Sequence, residues 1–389
     1  MDVGVAAKSI GHEVLEQYDV KKLHIASICS SASLQIFQAA RRFRFPSIGI
    51  IDSKDDGEWY DAFPGGKPDD FFRVQNYRDM LKADVQAELR GKNAYIIPHG
   101  TQQEALGLEN MKVELPFHGY RDAMKWEINK KVQSTWLKDI AGLPMADIME
   151  PKDMKGDKLY LIKRGGAKGG KGFFLVSGKE EYDTEIKARL ADGRLEKDET
   201  DDIVVQEFLD GPRYYTHFFQ DPLSKEGYKC GNGHLEMRGC DVRVETTADG
   251  RPRIIGMLTP KKQKQLGMEP SFTVTGNYEV VFRESLIKRA LLQGRKVVDA
   301  SKQIFDGGQE VVGPFCLECI VTDNLEIRPM EITGRLFGGT NAATGAWYAE
   351  LADEGTYREQ DGRPLSMAER VMFQIQEAIS MKKLAGITS

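Results

Sequence analysis

No run of about 18 apolar residues occurs in this sequence, so no segment is expected to cross a membrane as a helix. Cysteine is scarce and odd in number, five in all, which excludes a disulfide scaffold and fits a reducing compartment. Cys316 and Cys319 form one CxxC, but no second CxxC or paired histidines accompany it to complete a zinc site. In the run FCLECIV the two alternate as strand residues do, and they read as small buried hydrophobes. Positive charge is not in excess: 54 Lys and Arg against 59 Asp and Glu leave a net charge of −5. That balance argues against a nucleic-acid polymer as partner. The first twenty residues carry Asp2, His12, Glu13 and Glu16 where a signal peptide needs an apolar core, so a cytoplasmic location is expected. GxGxxG, internal repeats and low-complexity segments are all missing, and with the first goes support for dinucleotide binding.

Against that background one stretch stands out. Gly165, Gly166, Gly169, Gly170 and Gly172 are interleaved with Lys163, Arg164, Lys168 and Lys171. Glycine permits the positive φ that aims successive backbone N–H groups at one anion, and the lysines add charge. Residues 165–171 satisfy GxxxxGK, yet a P-loop needs Ser or Thr next and then a helix. Here Gly172 is followed by Phe173-Phe174-Leu175-Val176, which has strand character. The pattern predicts strand, glycine-rich loop, strand: a flap over a nucleotide, or alternatively a solvated surface hairpin.

At 389 residues the chain exceeds one ordinary core, and the fold class expected is α/β (α+β). A strand at 23–28, a small-residue turn Cys29 to Ser33, a helix at 34–43 and a strand at 47–51 make a βαβ unit of a parallel sheet. A further strand at 93–98 ends in His99-Gly100-Thr101, giving a Rossmann-like region over 1–124. A helix is expected over 123–141, strands near 159–164, 172–177 and 203–207, and a charged helix at 179–192. From Gly211 the sequence is strand-rich until a helix of about twenty residues begins near Arg283. The domain boundaries expected are 1–124, 125–210 with the flap, and 211–389.

Pro314 to Thr333 reads as two strands about a two-residue turn at Asp323-Asn324. That turn would set Cys316 opposite Glu331 and make Glu318 and Glu331 diagonal neighbours on one face, roughly 7–8 Å apart. Two carboxylates so placed can flank Mg²⁺ on a triphosphate. The alternative for Glu331 is a structural ion pair with Arg335. Glu326 falls on the other face and is expected to be exposed.

A basic glycine-rich flap, the hinge-like run Val204 to Leu209, and two strand carboxylates ending in GluXXXArg together resemble the ATP-grasp ligases. Over nearly the whole chain the runs IPHG (97–100), KWE (125–127), GAKGGKGFF (166–174), GN (276–277), VVFRESL (280–286), GPFCLE (313–318), EITGR (331–335) and GGTN (338–341) are similar to one ATP-grasp family. That family is the archaeal formate-dependent 5-formaminoimidazole-4-carboxamide ribonucleotide (FAICAR) synthetases. The resemblance implies an ATP-grasp fold with a Rossmann-like pre-ATP-grasp domain, and activation of formate as formyl phosphate. The amine of AICAR ribonucleotide then attacks to give FAICAR, ADP and phosphate.

It also implies roles. Lys163 contacts the ATP phosphates, with Lys130 a second candidate and Gly169 and Gly170 supplying backbone donors. Gln206, Glu207, Phe208 and Leu209 hold adenine and ribose. Glu318 and Glu331 hold Mg²⁺, with Mn²⁺ as a substitute, and Arg335 steadies the acyl phosphate. Ser30, Ser31, His99, Thr101, His217, Arg243, Asn277, Glu284, Thr340 and Asn341 face the acid and the acceptor nucleotide. A homo-oligomer is expected on the same ground. The family pattern has a histidine where this chain has Ser31, and a paralogous ligase for another acid or amine is the alternative. A non-catalytic nucleotide-binding protein is a more distant one.

Overall fold

The computed structural model describes residues 10–128, 130–163, 173–197, 200, 203–245, 262, 265–266, 274–337, 339, 348, 351–352 and 363–389. After α1 (Ile10–Leu15), four strands form a parallel sheet: β1 (His24–Ile28), β2 (Ser47–Asp52), β3 (Asp70–Val74) and β4 (Ala94–Ile96). Their order is β3-β2-β1-β4. The near-continuous burial of β1 and β2 follows from helices lying on both faces of a parallel sheet. α2 (Leu34–Arg42) buries Ile36, Phe37, Ala39 and Ala40, a helical stripe, while Arg41 and Arg42 occupy its last turn. α3 (Ala83–Gly91) and α4 (Gly100–Leu106) complete this region. The βαβ unit read from the sequence is present, and β3 joins it as an edge strand.

The helix expected over 123–141 is divided into α5 (Arg121–Ile128), α6 (Lys130–Ser134) and a π-helical turn at Thr135–Ile140. The turn seats Trp136, whose Nε1–H donates to Val297 O at 3.2 Å and whose ring meets Phe305 edge-on. A small antiparallel sheet follows, β5 (Ile148–Met149), β6 (Tyr160–Lys163), β7 (Phe173–Val176) and β8 (Val204–Glu207), in the order β5-β8-β6-β7. α7 (Lys179–Ala191) lies between β7 and β8 in the chain and packs on β7.

The largest sheet holds β9 (Arg213–Asp221), β10 (Lys229–Cys230), β11 (Gly233–Glu245), β12 (Val274–Glu279), β13 (Gly313–Val321) and β14 (Ile327–Thr333). Its order is β10-β11-β9-β13-β14, with β12 also on β11, and its pairs are antiparallel. Directly opposed residues share a face, so the registers sort every side chain. One face carries Phe218, Cys240, Phe315, Leu317, Cys319 and Ile332, and it packs in one core with α8 (Glu284–Ile304). A Cβ at Gly294 would stand 2.9 Å from the Phe218 ring, so only glycine allows α8 this close. Burying such aromatic rings contributes about 1.5–3 kcal/mol each.

The other face carries Arg213, Tyr215, His217, Asp241, Arg243, Glu245, Asn277, Glu318 and Glu331. One end of it, at Phe219, Asp221 and Glu236, is covered by α9 (Met367–Ser380), whose Arg370 bonds Asp221 at 2.7 Å and Glu236 at 2.9 Å. α9 also packs on α2, and its Glu369 takes Arg42 at 2.7 Å, so the last helix ties the large sheet to the first region. Among the described residues no helix is long and apolar enough to cross a membrane.

Candidate active site

The two antiparallel sheets each keep one face out of their cores. In the small sheet Tyr160, Ile162, Phe174, Val176 and Val205 face inward. Leu161, Lys163, Phe173, Leu175, Val204 and Gln206 therefore share the outer face, through the pairs Leu161↔Leu175, Lys163↔Phe173, Leu161↔Gln206 and Lys163↔Val204. An apolar, partly exposed face with one lysine at its rim suits a flat base with phosphates beyond it. Phe173 begins a strand, so the chain after the glycine-rich stretch is not the helix a P-loop requires. Gly169 and Gly170 lie outside the described residues, as does the side chain of Lys130.

The hinge residues divide. Gln206 is on the outer face and buried, while Leu209 is packed with Ala146, Ile320 and Met330. The Phe208 N–H donates to Leu159 O at 3.2 Å. Glu207 accepts from Arg328 of β14 at 3.1 Å, linking the two sheets instead of facing outward.

The hairpin between β13 and β14 differs from the two-residue turn expected. Thr322 pairs with Glu326, its N–H donating to Glu326 O at 3.0 Å, and Leu325 takes φ 63° in a three-residue loop. A bulge beside Glu318 then shifts the register again. Cys316 is opposite Thr333, not Glu331, and Glu318 is directly opposite Glu331. The two carboxylates are thus closer than diagonal neighbours, with Cα atoms about 4.5–5.5 Å apart. Glu326 is exposed, as its alternation implies. The Glu318–Glu331 pair continues a row, Asp241–Tyr215–Glu318–Glu331, across β11, β9, β13 and β14.

Cations surround this row. Arg213 donates to Glu245 at 2.9 Å and stands 3.6 Å from Glu318, while Arg243 lies over the Tyr215 ring at 3.6 Å. Burial, reinforced by the Glu318 charge, raises the Tyr215 hydroxyl far above its usual range, so it stays neutral. Two like charges opposed on neighbouring strands repel, and a divalent cation between them relieves that. Among the described residues no group of three metal-ligating side chains forms. The opposed pair Glu318 and Glu331 suits Mg²⁺, which is held by one or two carboxylates and otherwise by phosphate oxygens and water. The residues fit the ion. The CxxC cysteines are buried free thiols, as expected.

Beyond β14 the chain meets the ends of two strands of the first region. Arg335 donates to Glu127 Oε1 at 2.7 Å, the Gly334 N–H donates to Glu127 Oε2 at 3.0 Å, and a Cβ at Gly100 would lie 3.5 Å from Arg335. Arg335 therefore pairs with Glu127 of α5, not with Glu331. His99 bridges to Leu336, donates from Nε2 to Ile28 O at 2.9 Å and accepts the Thr101 N–H on Nδ1 at 3.2 Å. It is fully buried, and burial, with the Arg335 charge adding, lowers its pKa to about 4. Such a histidine caps α4 and stays uncharged near neutral pH, its one ring proton held on Nε2.

At the first turn Ser30 accepts the Ala32 N–H at 3.2 Å, and Tyr60 bonds both the Ser30 N–H and the Ser30 carbonyl. Ser31 is exposed beside it, and Thr101 is half-buried. His217 is fully buried, stacked on Phe337 and bonded to Asp241, one layer behind Asn277. Glu284 is exposed in the first turn of α8, where a carboxylate complements the helix dipole. Thr340 and Asn341 lie outside the described residues. The structure thus gathers His217, Arg243, Asn277, Glu318 and Glu331 on one face, and Ser30, His99, Thr101 and Arg335 where the first region meets it. Sequence reasoning missed Glu127, Arg213, Tyr215 and Asp241. The alternation in CDVRVE that marks Arg243 also puts Asp241 on its face.

A small lid sheet with a glycine-rich hairpin, beside a larger sheet with paired carboxylates, defines the ATP-grasp class. Solved structures share this fold. The IMP biosynthesis protein PurP from Thermococcus kodakaraensis matches with TM-score 0.68 and 26% identity, over 94% of this chain and 100% of that one. A biotin carboxylase from Campylobacter jejuni matches with TM-score 0.58 and 13% identity, over 94% of this chain and 71% of that one. The protein is an ATP-grasp carbon–nitrogen ligase. The family described as "Domain of unknown function (DUF1297)" matches residues 181–389, and "Protein of unknown function (DUF1246)" matches 25–149. A relative from Methanococcoides burtonii named 5-formaminoimidazole-4-carboxamide-1-(beta)-D-ribofuranosyl 5'-monophosphate synthetase is 38% identical over 97% of this chain and 98% of its own. One of that name from Korarchaeum cryptofilum is 35% identical over 96% of this chain and 97% of its own. The chain belongs to this synthetase family.

Proposed function

We propose that the protein couples ATP cleavage to formylation of AICAR ribonucleotide by formate, giving FAICAR, ADP and phosphate. The observation that carries the reading is full-length likeness to relatives whose name specifies that product, in a chain that keeps Glu318 and Glu331 opposed. A formate oxygen attacks the γ-phosphorus and ADP leaves. The 5-amino nitrogen then attacks the formyl carbon of formyl phosphate, inorganic phosphate leaves, and the nitrogen's proton passes to solvent or phosphate. Mg²⁺, when bound, neutralises charge on the transferring phosphoryl group.

The chain's own groups do the rest by placement. Lys163 and the outer face of β6 and β8 hold the nucleotide. Glu318 and Glu331 supply the oxygen ligands, and Arg335, fixed by Glu127, meets the acyl phosphate. The working division into 1–124, 125–210 and 211–389 gives acceptor turn, lid and metal face respectively. We take the protein to act in the cytoplasm as a homo-oligomer.

The test is ADP release measured with each substrate omitted in turn. Release that requires formate and AICAR ribonucleotide together is expected, and ATPase turnover indifferent to both overturns the reading. A second reading keeps the ligase class with another acid or amine. The exposed Ser31 favours it, and a thermal-shift screen in which a different amine stabilises while AICAR ribonucleotide does not selects it.

A further inference from the structure

One buried carboxylate behind the acceptor residues has no part in the steps above. Asp241 of β11 is fully buried. Its Oδ1 accepts from His217 Nε2, and its Oδ2 accepts from Asn277 Nδ2 at 2.8 Å. The His217 ring is held flat on Phe337, with centroids 4.6 Å apart and planes at 18°. A Cβ on Gly339 would collide with the Asp241 carboxylate, so the chain beyond β14 passes directly over it. The carboxylate is therefore fixed from three sides, and among its hydrogen bonds to the described residues only that with Asn277 leads outward, to a half-buried residue on the face that carries Glu318 and Glu331.

A carboxylate accepts hydrogen bonds and does not donate them. Asn277 must turn its NH2 toward Asp241, and its Oδ1 therefore points the other way. Among the described residues that Oδ1 makes no hydrogen bond. We infer that Asp241 is a positioning residue for acceptor specificity: it locks the Asn277 amide so that the site offers an acceptor, selecting a nucleotide that presents an N–H. A carboxamide meets that demand. An isosteric carboxylate presents a lone pair to Asn277 Oδ1 and meets repulsion instead. His217 acts through Asp241, by holding its other oxygen.

The inference rests on the acceptor assigned under the proposed function, and the experiment separates the two. Calorimetry without ATP would measure binding of AICAR ribonucleotide and of its 4-carboxylate analogue to wild type, Asp241→Asn, Asn277→Ala and the double variant. Wild type is expected to prefer the carboxamide. In Asp241→Asn the new amide can donate, Asn277 can flip, and the preference narrows by about tenfold, the scale of one hydrogen bond. Asn277→Ala narrows it similarly, and adding Asp241→Asn to that variant changes the ratio no further. A purely structural Asp241 lowers both affinities together and leaves the ratio intact, which overturns the inference alone. Wild type that binds neither ligand overturns the acceptor assignment and the inference with it. Should Asp241→Asn not fold, an undiminished preference in Asn277→Ala overturns the inference.

Discussion

The small and large sheets solve different problems with the same alternation. The outer face of β6, β7 and β8 is mostly apolar, with Lys163 at its rim, and part of it is open to solvent. The corresponding face of β9, β11, β13 and β14 is crowded with charge, with Arg213 set on Glu245 and Glu318 and Asp241 bonded to Asn277. An apolar face binds a base through area and tolerates adjustment. A charged face works by preorganisation, because fixed dipoles need no rearrangement as charge moves. Substitutions on the large sheet should therefore cost rate, and those on the lid mainly nucleotide affinity.

Glu331→Gln tests the charged side most directly. It should lower kcat about a thousandfold. Activity within threefold of wild type would remove the carboxylate pair from the mechanism. Lys163→Ala should cost about a hundredfold in kcat/KM for ATP and leave AICAR ribonucleotide binding in calorimetry intact. Equal losses for both ligands would show that the two faces do not divide the work.

Glu127→Gln weakens the brace on Arg335. About tenfold in kcat and a fall of several degrees in Tm are expected, with ATP affinity preserved. The smallest effect concerns pH. Burial lowers His99 and His118, the latter bonded to Gln374 of α9 at 2.9 Å, from 6.5 to about 4 in the folded protein, so unfolding favours their protonated forms. The stability that their neutral state contributes is present above pH 6.5 and is lost as pH falls toward 4. Urea midpoints measured across that window should drop, and His118→Gln should flatten part of the fall.

Local pattern made much of this legible. The βαβ unit, the strand–glycine loop–strand hairpin and the long helix near 284 follow from periodicity and turn residues, which act over a few positions. The carboxylate pair was legible as two residues of one hairpin but not as a direct pair. Leu325 accepts a left-handed conformation and β14 accepts a bulge, and neither leaves a mark in side-chain type. Glu127 stood in the KWE run, but its pairing with Arg335 was invisible because the two are 208 residues apart in sequence. His217 looked like a contact residue, and its burial behind Asn277 depends on the β9, β11 and β12 registers.

By itself, the sequence determined which residues alternate onto a charged face, where glycine and lysine concentrate, and that a strand and not a P-loop helix follows them. Those are properties of short runs, set by sterics and the period of two. The tertiary structure alone decided that Glu318 meets Glu331, that Glu127 holds Arg335, and that Asp241 sets the direction of Asn277. Each depends on which strand lies beside which and in what register. That is fixed by burying the opposite, apolar face against α8, a demand of the whole core and not of any one segment.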